Sequence, residues 1–105
     1  MKINYGAHYK NSEKNIKRKY KEQEMLQKIK NHIKQCTNVQ ELISSPISIM
    51  YGYEDLKYEL SGYSSFNLCK NGGKVRLIFT ADKELQEIIL EYVSVEHYED
   101  FKNKL

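Results

Sequence analysis

The residues best suited to chemistry in this chain are an arginine and a histidine on neighbouring predicted strands. Arg76 lies in the second arm of a predicted hairpin, and His97 follows the next apolar strand. Attack by a 2′-hydroxyl on an RNA phosphodiester needs a proton acceptor, a proton donor and a fixed cation beside the charged phosphorane. The pair therefore suits RNA cleavage, with Arg76 as the cation and His97 as the proton carrier.

A hairpin over residues 64–81 positions Arg76. Phe66 and Leu68 alternate with polar residues, and this period of two is typical of a half-buried strand. The run Asn71-Gly72-Gly73 supplies the turn, because Asn-Gly and Gly-Gly pairs tolerate the positive φ angles of tight hairpins. With its first two residues at the centre of the turn, Asn67 faces Arg76. The apolar face must be covered, whereas the Arg76 face can stay open to a ligand.

The strand that leads to His97 is predicted to be central. Residues 88–95 are apolar on both faces apart from Glu91 and Ser94, as expected for a strand covered on two sides. A mostly antiparallel sheet of at least three strands follows.

The first third of the chain predicts helices. Apolar residues recur at nearly helical spacing between positions 16 and 36, so residues 13–35 predict one long or two broken amphipathic helices, with Asn11 or Ser12 as the N-cap. Residues 37–40 form a capping-box pattern before a short helix, which Ser44-Ser45-Pro46 ends. Residues 47–58 predict a linker with strand or turn character.

Three ordered motifs in the last half of the chain resemble the RelE/ParE superfamily of toxins from bacterial toxin–antitoxin pairs. Leu60-Ser61-Gly62 resembles the Leu-x-Gly before that family's first hairpin strand. Residues 74–79 (KVRLIF) resemble its arginine-bearing strand, and residues 93–101 (VSVEHYEDF) resemble its closing strand and tail. Arg76 falls on the functional arginine, and His97 falls on a histidine that several branches carry.

The resemblance implies an α+β fold. N-terminal helices would pack on a small, mostly antiparallel twisted sheet with an edge strand at residues 2–5, followed by a short C-terminal helix or tail. The length of 105 residues is that of one domain, so residues 1–105 are predicted to form a single RelE-like toxin domain.

The predicted site departs from that of RelE itself, which carries two lysines on its first hairpin strand where this chain has Asn67 and Cys69. Lys70 and Lys74 lie near the turn and partly replace that charge, so Asn67, Lys70 and Lys74 are the candidate substrate-binding residues. Tyr98 stands where RelE has an arginine. It either contacts the substrate, by a hydrogen bond or by stacking on a base, or packs in the core.

Arg76 and His97 also have structural interpretations. Arg76 can pair across strands with an acidic neighbour such as Glu91. His97 can be hydrogen-bonded to Glu96 or Glu99.

Two classes of function follow from the resemblance. The first is an endoribonuclease toxin that cleaves messenger RNA on the ribosome, with His97 as either acid or base, since histidine performs both roles near neutral pH. The alternative is a ParE-like toxin that binds DNA gyrase and has no nuclease chemistry. A histidine retained beside Arg76 favours the nuclease. Both classes imply a cognate antitoxin protein as partner.

The composition indicates the compartment in which the protein acts and the state of its cysteines. No apolar run approaches the roughly 20 residues of a membrane span, and the N-terminus begins no hydrophobic signal, so a cytoplasmic protein without membrane contact is predicted. Cys36 and Cys69 are expected to be reduced thiols. The cysteines and histidines show no metal-ligand spacing, so no metal or cofactor is predicted.

Charge is divided unevenly along the chain. Residues 1–37 carry 10 Lys or Arg against 3 Glu, whereas residues 38–105 carry 7 against 11 acidic residues. The basic part contains five cations close together in sequence, and a polyanion or an acidic partner is predicted there. They are Lys14, Lys17, Arg18, Lys19 and Lys21.

Overall fold

The computed structural model describes residues 1–69 and 73–105. The strands of these residues are β1 (Lys2–Tyr5), β2 (Glu54–Asp55), β3 (Ser64–Asn67), β4 (Arg76–Asp82) and β5 (Glu87–Ser94). The helices are α1 (Tyr9–Glu13), α2 (Tyr20–Gln35), α3 (Val39–Ser44), α4 (Pro46–Met50) and α5 (Glu99–Lys102), with 3₁₀ turns at Lys14–Ile16 and Tyr58–Leu60. The predicted α+β class and the short C-terminal helix are confirmed.

The strands form one sheet in the order β1-β5-β4-β3-β2. β1 pairs in parallel with β5 at one edge, and the other neighbours are antiparallel. This confirms the mostly antiparallel sheet, the edge strand at the N-terminus and the interior place of β5. Asn67 lies opposite Arg76, as the predicted register requires. The predicted turn residues Asn71 and Gly72 lie outside the described residues.

The main core lies between one face of the sheet and helices α1, α2 and α3. From α2, Leu26, Ile29 and Ile33 are at most 1% exposed. Across from the helices, Phe66 stacks on Phe79 with ring centroids 5.0 Å apart and planes inclined by 14°. Burial of these apolar surfaces is the main force that holds the helices on the sheet.

A second, smaller core covers much of the opposite face, where we expected an open polar surface. The side chains of α5 and the 3₁₀ turn Tyr58–Leu60 pack here against β4 and β5. Ile78 lies on the same face as Arg76, two residues further along β4, and its partner in β5 is Tyr92. A β-bulge follows this pair: Phe79 pairs with Leu90, so Glu91 is extra. Leu90 and Val93 both enter the main core, and Tyr92 joins Ile78 in the second core. Arg76 lies at one end of this face and is partly exposed, as is Thr80 toward the other end.

The predicted helix start at residue 13 with an Asn11 or Ser12 cap is wrong, although the prediction of broken helices is right. Helix α1 begins at Tyr9, and the chain breaks again before α2 begins at Tyr20. The Ser12 hydroxyl donates to Tyr9 O (2.7 Å) and accepts from Val93 N (2.8 Å), so it ties α1 to β5. Gln23 Nε2 donates to the carbonyls of Ile16 and Lys17 and stabilises the break.

The short helix predicted after residues 37–40 is present, but its cap lies one residue later than the capping-box pattern requires: the Asn38 side chain accepts from Glu41 N (2.8 Å) at the start of α3. The linker predicted over residues 47–58 is partly wrong, since it contains most of α4 as well as the short strand β2. Ser45 caps α4 by accepting from Ile47 N, and Pro46 occupies its first turn. The residues read as a helix stop therefore also start the next helix.

Candidate functional site

Arg76 begins β4, and its guanidinium turns toward β3. Its Nη1 donates to Asn67 Oδ1 (3.1 Å) and to the backbone carbonyls of Gly73 (2.5 Å) and Val75 (3.2 Å). These acceptors are neutral, and the ion pairs among the described residues do not include Arg76. The side chain is therefore fixed in direction while its positive charge stays uncompensated. Its Nε and Nη2 make no hydrogen bond to any described residue.

The interpretation of Arg76 as a cross-strand partner of Glu91 is wrong. Arg76 lies opposite Ser94, and Glu91 accepts a hydrogen bond from Thr80 Oγ1 (2.7 Å).

His97 lies at the same end of the sheet, just beyond β5. Its backbone N–H donates to Lys74 O (3.2 Å), two residues before Arg76 on the neighbouring strand. The side chain is exposed, and its ring packs on the ring of Tyr98 with centroids 4.5 Å apart. Within residues 1–69 and 73–105 the imidazole makes no hydrogen bond, so neither Glu96 nor Glu99 holds it as the structural interpretation required.

Tyr98 lies in the second core and is 9% exposed. Its hydroxyl is hydrogen-bonded to Ser65 Oγ (3.0 Å), on the buried side of β3. Of the two roles left open for this tyrosine, the geometry favours packing over substrate contact. Its ring is the surface on which His97 rests.

The three candidate substrate-binding residues differ in their surroundings. Asn67 is half-buried, and its Oδ1 accepts from both Arg76 and Cys69 N (2.9 Å). Lys74 is exposed beside the backbone of His97. Lys70 lies outside the described residues. Asn67 and Lys74 thus flank Arg76 on two sides.

Sequence reasoning missed a polar network around His97. Ser94 Oγ donates to Asp100 Oδ1 and accepts from Tyr98 N (3.0 Å), and Asp100 Oδ2 accepts from Val95 N (3.0 Å). Burial, and to a lesser extent the Asp100 carboxylate, raises the pKa of nearby Tyr92, which stays protonated. The one signal in the sequence was a serine at the end of a mostly apolar strand, six residues before an aspartate.

The basic segment borders the site. Asn15 Nδ2 donates to Val93 O (3.2 Å), and Ser12 accepts from the N–H of the same residue. These bonds hold the turn Lys14–Ile16 beside the strand that leads to His97. The segment carries the exposed cations Lys14, Lys17, Arg18, Lys19 and Lys21.

Both cysteines are free thiols, as predicted. Across the described ranges, no three His, Cys, Asp or Glu side chains group so as to hold a metal ion. In the same ranges, every helix is too short or too polar to cross a bilayer.

No protein-family model matches the sequence, and none of the curated proteins compared matches it either. Solved structures do match. The structure of YafQ from E. coli strain BL21(DE3) is 16% identical, with a TM-score of 0.60 over 89% of this chain and 90% of YafQ. The YoeB/ParE toxin from Agrobacterium tumefaciens is 17% identical, with a TM-score of 0.59 over 91% of this chain and 99% of that toxin.

A third match comes from the heterotetrameric YoeB–YefM toxin–antitoxin complex of Staphylococcus aureus. It is 18% identical, with a TM-score of 0.54 over 90% of this chain and 94% of the other. The chain shares the fold of these YafQ and YoeB structures. At these identities the fold is what is shared, and any activity has to be argued from the site.

Proposed function

We propose that this protein is the toxin of a bacterial toxin–antitoxin pair and that it cleaves messenger RNA on the ribosome. The observation that carries the proposal is Arg76, a half-buried cation that neutral acceptors hold in place and that no described carboxylate neutralises. Such an arginine is preorganised for an anion. The toxin fold and the exposed histidine at the same end of the sheet make the phosphodiester of RNA the anion that fits best.

In the proposed reaction the 2′-hydroxyl oxygen bonds to phosphorus while the bond from phosphorus to the 5′-oxygen breaks. The products are a 2′,3′-cyclic phosphate and a 5′-hydroxyl. The Arg76 guanidinium stabilises the extra negative charge of the phosphorane through Nε and Nη2. His97 carries one of the two protons: it either takes the proton of the 2′-hydroxyl or gives a proton to the leaving oxygen, and solvent water carries the other.

The remaining candidate residues bind RNA in this proposal. Lys74 contacts a phosphate next to the one that is cut, Lys70 adds charge near the hairpin turn, and Asn67 keeps Arg76 in place. Tyr98 acts by packing, as the base on which the His97 ring lies. Action on messenger RNA also places the protein in the cytoplasm.

The basic segment around Arg18 is proposed to bind either the RNA backbone or an acidic stretch of the antitoxin. A partner is supported by the Staphylococcus aureus structure, in which YoeB is found in complex with YefM. For the present chain the cognate antitoxin would cover the site and block cleavage.

The test is to map new 5′ ends on a translated messenger RNA incubated with purified protein and ribosomes, with free RNA in parallel. We expect cuts that depend on ribosomes and disappear when the antitoxin is added. Cuts on free RNA would show that the protein cleaves RNA without the ribosome. No cuts under either condition, together with loss of gyrase supercoiling activity, would overturn the proposal in favour of a ParE-like toxin.

A further inference from the structure

The turn that presents His97 has an unusual backbone. Two consecutive residues that are not glycine have positive φ angles, +62° at His97 and +115° at Tyr98. Side chains with a Cβ rarely adopt this left-handed region, and such conformations persist only where surrounding contacts impose them. Contacts around this turn must therefore hold it in place.

Ser94 and Asp100 supply these contacts from both sides of the turn. The Ser94 hydroxyl accepts from Tyr98 N (3.0 Å) and donates to Asp100, so the amide that follows His97 is linked through one hydroxyl to a carboxylate. Asp100 also accepts from Val95 N and Phe101 N, each at 3.0 Å. Ser94 is fully buried, so water does not compete for its bonds. We call this pair the Ser94–Asp100 clamp.

Two further hydrogen bonds hold the parts of the turn that the Ser94–Asp100 clamp does not hold. The N–H of His97 itself bonds to Lys74 O, which ties the turn to β4. The Tyr98 hydroxyl bonds to Ser65, which anchors the ring beneath the imidazole. The peptide units on both sides of His97 are thus tethered, while the imidazole alone faces solvent.

We propose that Ser94 and Asp100 are positioning residues that hold the His97 imidazole in the orientation needed for proton transfer. The proposal rests on the function proposed above. Neither residue has to touch RNA, because Ser94 is buried and the described bonds of Asp100 go to the turn itself. A reacting group displaced by about 1 Å can lose about 100-fold in rate, so a clamp of this kind has a measurable effect on catalysis.

The first arm of the test is a kinetic cycle. Asp100→Asn and Ser94→Ala are expected to lower kcat about 10- to 100-fold with little change in KM. Glu99→Gln is the matched control, because it changes an adjacent exposed carboxylate whose polar contact among the described residues is with Lys102 Nζ (3.4 Å). In a His97→Ala background the Asp100→Asn change should have no further effect, since the clamp acts through the imidazole. A further drop of tenfold in that background would overturn the positioning role.

The second part of the test measures the surroundings of the His97 ring and does not depend on RNA cleavage. Because the two rings pack with centroids 4.5 Å apart, we expect the ring of Tyr98 to shift the NMR signals of the His97 ring protons. The His97→Ala and His8→Ala variants would assign those signals. Asp100→Asn and Ser94→Ala should move the His97 signals toward free-histidine positions in proteins that still melt cooperatively, whereas Glu99→Gln should not. Unmoved signals in both variants would refute the clamp. Moved signals with full cleavage by His97→Ala would support the clamp and refute the catalytic role of His97.

Discussion

Replacement of Gly52 by alanine tests whether Asn67 holds Arg76 in place. Gly52 has a φ of +74°, and a Cβ built there would lie 2.8 Å from Asn67 Cβ. Asn67 is the residue whose Oδ1 accepts from Arg76 Nη1, and its N–H bonds to Tyr51 O (2.9 Å). The new methyl group must therefore push Asn67 away from its present place, and Arg76 loses an acceptor.

Gly62 provides a matched control for the size of the effect. Its φ is +95°, but a Cβ there would meet nothing within 4 Å. Gly62→Ala should cost about 1–2 kcal/mol of unfolding free energy from backbone strain alone. Gly52→Ala should add about 1–3 kcal/mol for the contact with Asn67. For a domain of this size each kcal/mol lowers Tm by about 4 °C, so the extra loss at Gly52 is roughly 4–12 °C.

The assay is thermal unfolding of both variants followed by RNA cleavage at a temperature at which both are folded. We expect Tm to fall further for Gly52→Ala than for Gly62→Ala. Cleavage should be lost in Gly52→Ala and kept in Gly62→Ala. Equal Tm values and equal cleavage for the two variants would refute the idea that Asn67 fixes Arg76.

Two other changes separate structural roles from chemical ones. Tyr98→Phe leaves Ser65 Oγ without its partner and should cost about 1–3 kcal/mol of stability in urea unfolding, yet retain cleavage; a collapse of cleavage in a stable variant would assign Tyr98 a direct role. His32 bonds to buried Ser48 (2.8 Å), and burial lowers its pKa below the ordinary 6.5. The unfolded chain therefore binds the proton more readily, so this contribution to stability is complete above about pH 6.5 and is lost as the pH falls through the lowered pKa. Urea midpoints at pH 7.5 and 5.5 should differ less in His32→Gln than in the unchanged protein, and an equal difference would exclude His32 as the cause.

Local patterns predicted the elements that carry the site. The register of Asn67 with Arg76 followed from strand alternation and turn chemistry, both of which act between neighbours in sequence. The start of α3 was visible to within one residue for the same reason. The position of Arg76 and His97 at one end of the sheet then follows from the order of β4 and β5.

What could not be predicted depends on contacts between distant residues. The second core joins Leu60, Ile78 and Phe101, which are far apart in sequence, and the bulge at Glu91 leaves no clear mark in an apolar strand. The late start of α2 depends on the Gln23 side chain reaching back to carbonyls in the preceding turn. The left-handed turn at His97 depends on Asp100, whose partners are visible only in the folded chain.

The most direct measurement of the central claim is the single-turnover rate of RNA cleavage by Arg76→Ala and His97→Ala. The chain contains one other arginine and two other histidines, and the exposed pair Arg18→Ala and His8→Ala are matched controls. We predict a loss of about 100- to 1,000-fold for Arg76→Ala and about 100-fold or more for His97→Ala, with His8→Ala unchanged and Arg18→Ala altered only in RNA binding. Folded Arg76→Ala and His97→Ala proteins that cleave as fast as their controls would contradict the assignment of this site.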